Sequence, residues 1–289
     1  MAIDILQAKI KKQGRTLMLD LSIMPDAIPP VLMESSGNLF AAYREYARKL
    51  LQGLKTEVCA VRFQLLHFAL MGEQGIGLLS ELLKYASSQG YYTLLDVPGL
   101  MSPEAAAFGA GSIWSEESSF PCDGVLVSGY PGSDIIKPFL PYCEKGKKDL
   151  FVVVRSANRS SSEIQDLLAG SRTVHMAAAD NVNRYGSSTI GKCGYSRVGI
   201  VAAATAGDSV KMLRTKYPSL FMIVDGLDCS GANAKNCSYG FDRMGHGAIV
   251  CLGSSVTSAW KEGEEDYVQA AAAAAQKARK RIERYVTVL

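Results

Sequence analysis

Eight short apolar runs recur along this chain, and in most of them the apolar residues follow one another without alternation. They cover residues 16–21, 58–65, 92–97, 124–128, 150–154, 198–203, 220–224 and 248–252. A strand with one wet face alternates apolar and polar residues. A strand rich in Val, Ile, Leu and Phe throughout is covered on both faces, as in a parallel sheet. Segments with helical spacing lie between the runs. Residues 38–54 set Leu39, Tyr43, Tyr46, Ala47 and Leu50 three or four apart. Residues 76–88 do the same with Leu78, Leu79, Leu82, Leu83 and Ala86, and residues 208–216 carry Val210, Met212 and Leu213. A last, alanine-rich helix is predicted over about 264–285, with cations at the end where the helix dipole favours them.

Strand then helix, eight times in 289 residues, predicts one α/β domain over residues 1–289: a (β/α)8 barrel. An open doubly wound sheet is the alternative. It is disfavoured because no strand-linked G-x-G-x-x-G occurs, and Gly109-Ala-Gly111 lacks both the third glycine and a preceding strand. No linker divides the chain.

Charge and composition exclude several partners. The net charge is +3, with no basic stripe, so no nucleic-acid partner is expected. The run Lys277-Ala-Arg-Lys-Arg281 reads as a solvated helix face. No run approaches eighteen apolar residues, so no membrane span is expected. The first residues lack a basic flank followed by an apolar core, which points to the cytoplasm. Seven cysteines without a C-x-x-C pair read as reduced and buried. Three histidines, His67, His175 and His246, show no metal spacing, so neither a metal nor a cofactor is expected.

In a barrel of this kind, chemistry sits at the C-terminal ends of the strands. Five charged residues fall there: Asp20, Arg62, Asp96, Arg155 and Asp225. A charge at the end of an apolar strand is costly unless paired, so five on one rim mark a candidate site as readily as a set of structural ion pairs. The polar stretches 156–162 and 228–238 follow strands and supply loops to the same face. Gly226, and Gly253 with Ser254 and Ser255, lie where barrels often bind phosphate through backbone N–H groups.

Two blocks carry a family resemblance. One is Lys137-Pro-Phe-Leu140, preceded by residues 132–134. The other is Phe151-Val-Val-Val-Arg-Ser-Ala-Asn158, followed by Ile164-Gln-Asp-Leu167. With the order of the eight strands, these make the chain resemble the orotidine 5′-phosphate decarboxylase family, in particular its longer bacterial subgroup. The resemblance implies the fold, a nucleotide or other phosphate-bearing small ligand, and a homodimer with sites at the interface. It also implies a charge array of two lysines and two aspartates, one lysine delivering the proton to the carbon that loses carbon dioxide.

The array is degenerate here. Where the family writes Asp-Ala-Lys-Arg-Gly-Asp-Ile, this chain reads Asp96-Val-Pro-Gly-Leu-Met-Ser102. Asp96 remains, Pro98 stands for the proton donor, and Met101 stands for the aspartate that reaches the partner subunit. The strand-two lysine falls on Arg62 and the following asparagine on Gln64. The first-strand aspartate is kept as Asp20. The serine that contacts the pyrimidine falls on Ala157, between Ser156 and Asn158. The glutamine after strand seven falls on Ser230. Ser-Ser-Arg-Gly after strand eight reads Ser254-Ser-Val-Thr257, which puts Val256 at the phosphate arginine. By this correspondence Asp96, Arg62 and Asp20 are the catalytic candidates. Gln64, Ser156, Asn158, Gly226, Ser230, Gly253, Ser254 and Ser255 are the substrate-binding candidates.

Proline carries no proton to give, and a guanidinium stays charged at every relevant pH. A positioned general acid is worth roughly 10²–10⁴ in rate. The expectation is a diverged relative of the enzyme of the UMP-forming step, with little or no decarboxylation. The alternatives are a decarboxylase with rearranged groups, a sugar-phosphate enzyme holding Mg²⁺ on Asp20, Asp96, Asp225 and Asp228, and a non-catalytic partner of an active paralogue.

Overall fold

The computed structural model describes residues 2–263 and 266–286. Eight parallel strands close into a barrel: β1 (Leu17–Asp20), β2 (Val58–Gln64), β3 (Tyr92–Asp96), β4 (Gly124–Ser128), β5 (Asp149–Val153), β8 (Ser196–Ala203), β9 (Leu220–Asp225) and β10 (Ala248–Leu252). A two-stranded hairpin, β6 (Leu168–Ala169) with β7 (Arg172–Thr173), stands apart between the fifth and sixth barrel strands. Around the barrel the order is β1-β10-β9-β8-β5-β4-β3-β2. Chain neighbours are therefore spatial neighbours all the way round, the topology of a (β/α)8 barrel.

Each strand divides its residues between two cores, because successive side chains point to opposite faces. Met18, Ala60, Leu94, Phe151, Ile223 and Cys251 point inward and pack together in the barrel lumen. Leu17, Leu19, Val61, Leu95, Val125 and Val250 point outward against the helices. Both faces are buried, which is why the runs show so little alternation.

The helices match their predicted spans closely. The first long one is Leu39–Gly53, where Asn38 Oδ1 accepts from the Ala41 amide at 3.0 Å. The second begins earlier than its apolar spacing suggests and covers Gly72–Ser88. The last is Tyr267–Glu283, capped by Asp266. Residues 264 and 265, where that helix was expected to begin, lie outside the described residues. Two corrections concern loops and cysteines. The stretch 228–238 is not all loop, because Asn233 caps a short helix, Ala234–Ser238. Cys193 and Cys229 are not buried, whereas the other five cysteines are; all seven are free thiols.

A helix not expected from the sequence, Ala2–Gln13, closes the bottom of the barrel. Its Ile3, Leu6 and Ile10 are fully buried in the lumen cluster. Asp4 accepts from Arg197 at 2.9 Å, and Gln7 Oε1 accepts from the Gly247 amide at 3.0 Å. This packing covers the end of the lumen opposite the C-terminal rim.

Candidate active site

Strand register builds the site. Asp20 pairs with Arg62, Gln64 with Asp96, and Ala203 with Asp225 in the sheet. Counting by twos from the lumen residues puts Asp20, Arg62, Gln64, Asp96 and Asp225 on the inner face, one layer above the apolar core. Arg62 is the hub. Its Nε and Nη2 donate to Asp20 Oδ2 at 3.0 and 2.6 Å, and its Nη1 donates to Asp225 Oδ2 at 2.7 Å. Gln64 Nε2 donates to the same Asp20 oxygen at 2.9 Å, and the Ser22 amide donates to Asp20 Oδ1 at 2.8 Å. Burial acts to raise the Asp20 pKa, but the Arg62 charge and the Ser22 amide outweigh it and hold the carboxyl below its ordinary value.

Asp96 behaves differently. Its Oδ1 is buried and has no hydrogen-bond partner. Burial pushes its pKa up to about 7; Arg62 opposes this, while Asp20 and Asp225 add to it. Among the described residues of the cluster, Asp96 is the one with a buried side-chain oxygen that lacks a hydrogen-bond partner.

The loop after β3 starts at Val97, whose amide donates to Leu126 O at 2.8 Å. Pro98 and Met101 are exposed on it. The loop after β9 turns at Gly226, which has φ +77 and whose added Cβ would come within 2.5 Å of Ala157 Cβ. Asp228 follows. Its Oδ2 accepts from the amides of Gly253 at 2.7 Å and Ser255 at 3.3 Å. The amide pair expected to face a ligand phosphate is thus held by a carboxylate of the chain itself. A Cβ built on Gly253 would lie 3.8 Å from Asp20 Cβ, so this contact borders the charged cluster. Val256 is fully buried against the helices, so the position expected to carry the phosphate arginine faces the core.

The carboxylate cluster considered for Mg²⁺ does not form. Asp20 and Asp225 converge on a guanidinium, and Asp228 faces amides. Among the described residues no three His, Cys, Asp or Glu side chains are placed to hold a metal ion. Arg155 serves the β5 loop rather than the mouth. It bonds Ser161 Oγ, Gln165 Oε1 at 3.1 Å and Asp166 Oδ2 at 2.9 Å. Gln165 also holds Ser156, whose Oγ donates to Asn158 Oδ1 at 2.7 Å. Ser156 and Asn158 therefore form a braced pair on the rim. Ser230 and Ser254 are exposed there.

Asp228 was visible in the sequence only as a possible metal ligand, because nothing local says that its carboxylate reaches 25 residues along the chain. Residue His67 was passed over as well. It lies on the short helix Leu65–Ala69 directly after β2, with Nε2 buried and unpartnered and its ring 5.3 Å from that of Phe68. Burial lowers its pKa against the pull of Asp20, so the ring is neutral at pH 7. Its place three residues past Gln64 was the available signal.

Residues 94–266 match the Orotidine 5′-phosphate decarboxylase / HUMPS family. An orotidine 5′-phosphate decarboxylase of Caldicellulosiruptor saccharolyticus is 28% identical over 275 residues, which cover 89% of this chain and 90% of that protein. One of Clostridium novyi is 27% identical, covering 91% of this chain and 90% of its own length. Among solved structures, Leishmania donovani OMP decarboxylase superposes with a TM-score of 0.76 at 21% identity over 99% of both chains. Plasmodium berghei orotidine 5′-monophosphate decarboxylase does so with a TM-score of 0.79 at 14% identity, covering 97% of this chain and 99% of that one. The chain belongs to the orotidine 5′-phosphate decarboxylase / HUMPS family.

Proposed function

We propose that this barrel is a diverged relative of the enzymes of the UMP-forming step of pyrimidine biosynthesis, one that binds a nucleotide-class ligand at its mouth and does not decarboxylate it at a useful rate. One observation carries this reading: among the described residues, the cation acting on Asp20 and Asp96 is Arg62, and its guanidinium is clamped between Asp20 and Asp225. A clamped, permanently charged group delivers no proton. Pro98, exposed on the loop beside it, has none to deliver. The ligand would be held by Gln64, Ser156 and Asn158 around its ring and sugar, with Asp96 as the group free to bond it. The phosphate grip would be weak, because Asp228 already occupies the Gly253 and Ser255 amides and Val256 offers no charge.

Calorimetric titration with uridine monophosphate tests the binding half of this reading. Binding with a Kd of about 10⁻⁴ M, or about −5.5 kcal/mol, is expected, and Asp96→Asn shifts it. Absence of binding at millimolar ligand contradicts it.

A second reading, an active decarboxylase with a rearranged donor, is favoured by Asp96 itself. A carboxyl with a pKa of about 7 and a free oxygen is fitted for general-acid work at neutral pH. The quaternary proposal is a homodimer. Val31, Leu66, Leu70, Met101 and Phe108 are all more than half exposed and lie on the segments following the adjacent strands β1, β2 and β3. An apolar stretch of that kind supports association through this side of the rim. No described helix is long and apolar enough to cross a membrane, and seven free thiols fit a reducing cytoplasm.

A further inference from the structure

A cavity of about 880 Å³ lies outside the barrel, between the short helix Ala234–Ser238 and the final helix Tyr267–Glu283. That volume is in the range of small-molecule sites. It is open because the short helix has only five residues and because the final helix turns Ala270, Ala274 and Ala278 toward it, at steps of four. Leu227 and Leu252 add apolar lining.

The lining is charged unevenly. Farther along the same stripe of the final helix stand Lys277, Arg281 and Arg284, and Lys235 is contributed by the short helix. Among the described residues, none of these four forms an ion pair. Arg279, on another face of the same helix, is matched by Glu57 at 2.8 Å and Glu283 at 2.6 Å. Among the described residues Lys280 has no ion pair either, so what sets the groove apart is that it gathers four such cations along one face. Two carboxylates also line the groove: Glu262, from the segment before the final helix, and Asp228 at the strand end, whose Oδ2 is taken by backbone amides.

From this polarity we infer that the groove is a second ligand site for a phosphate-bearing small molecule, adjoining the barrel mouth at Asp228 and Ser255 but with its cations outside it. The phosphate lies at Lys277 and Arg281, the body of the ligand lies on the alanine stripe, and a hydrogen-bond donor at its far end meets Asp228. Phosphate at the opposite end would face a carboxylate, so charge fixes the direction of binding.

Adenosine monophosphate is the probe, titrated calorimetrically into the full chain. It is expected to bind, and adenosine without the phosphate to bind more weakly. Lys277→Gln with Arg281→Gln removes two exposed cations and weakens binding about tenfold, as expected for two partly solvated charge contacts. The melting temperature of that variant stays at the wild-type value, since neither side chain is buried. Asp96→Asn, in the mouth, leaves the part of the binding that depends on Lys277 and Arg281 unchanged. No binding to the wild type, an unaffected double variant, or a loss seen only with Asp96→Asn overturns the proposal.

Discussion

The two rim aspartates on either side of β2, Asp20 and Asp96, have been driven in opposite directions by their surroundings. Asp20 takes two guanidinium contacts, an amide side chain and a backbone N–H, and stays ionised. Asp96 has a buried oxygen with no partner and a pKa of about 7. The sign of its effect on stability follows. The folded state binds the Asp96 proton more tightly than the unfolded chain, so its favourable contribution is complete below the unfolded pKa near 3.8 and is lost as pH rises through about 7. Asp96→Asn removes that loss. Its melting temperature at pH 8, compared with wild type, should be raised by about 2–8 °C, and the difference should shrink toward pH 4. Equal differences at both pH values would contradict the assignment. At Asp228 the prediction concerns binding. Asp228→Ala frees two amides and removes a negative charge beside them, so uridine monophosphate should bind about tenfold more tightly while uridine is unaffected. The identity of Asp96 and Arg62 as rim groups was legible from their places in the apolar runs. The contact made by Asp228 was not, because it depends on how two loops distant in sequence come together.

The strands were legible to within one or two residues because burial on both faces imposes a plain chemical demand on every position. The runs at 124–128 and 248–252 coincide with β4 and β10. Helix Ala2–Gln13 went unread even though Ile3, Leu6 and Ile10 carry helical spacing. The segment precedes the first strand, and an eightfold strand–helix pattern gives it no place. Its packing makes it a structural plug. Leu6→Ala removes a fully buried side chain from the lumen cluster and should cost about 2–5 kcal/mol in chemical denaturation. A cost below ~1 kcal/mol would show that the barrel does not depend on this helix. Helix Pro103–Ile113 also escaped, although Ser102, Pro103 and Glu104 form a conventional start. Ser102 Oγ accepts from the Ala105 amide at 3.2 Å. Gly109 and Gly111, too incomplete a pattern for a nucleotide loop, both lie inside this helix.

At the scale of the whole molecule, the fold and its family are kept, and on the proposed reading the groups performing the family's reaction are not. Overall shape follows from apolar patterning spread over some hundred positions, so it survives the change of a few rim residues. Activity rests on a handful of side chains, so a few substitutions at the rim are enough to remove it. The exposed apolar stretch over Leu66, Leu70, Met101 and Phe108 belongs to this scale too. Analytical ultracentrifugation should show a dimer for the wild type, and Leu70→Glu with Phe108→Glu should yield a folded monomer. A monomeric wild type would remove the dimer from the account. The central claim is the loss of decarboxylation, and it is tested most directly by following the absorbance of orotidine 5′-phosphate with purified protein at high concentration, beside an active family enzyme. The account predicts no turnover above background at any pH from 5 to 9. Turnover that co-purifies with the chain and is abolished by Asp96→Asn would contradict it and make Asp96 the proton donor.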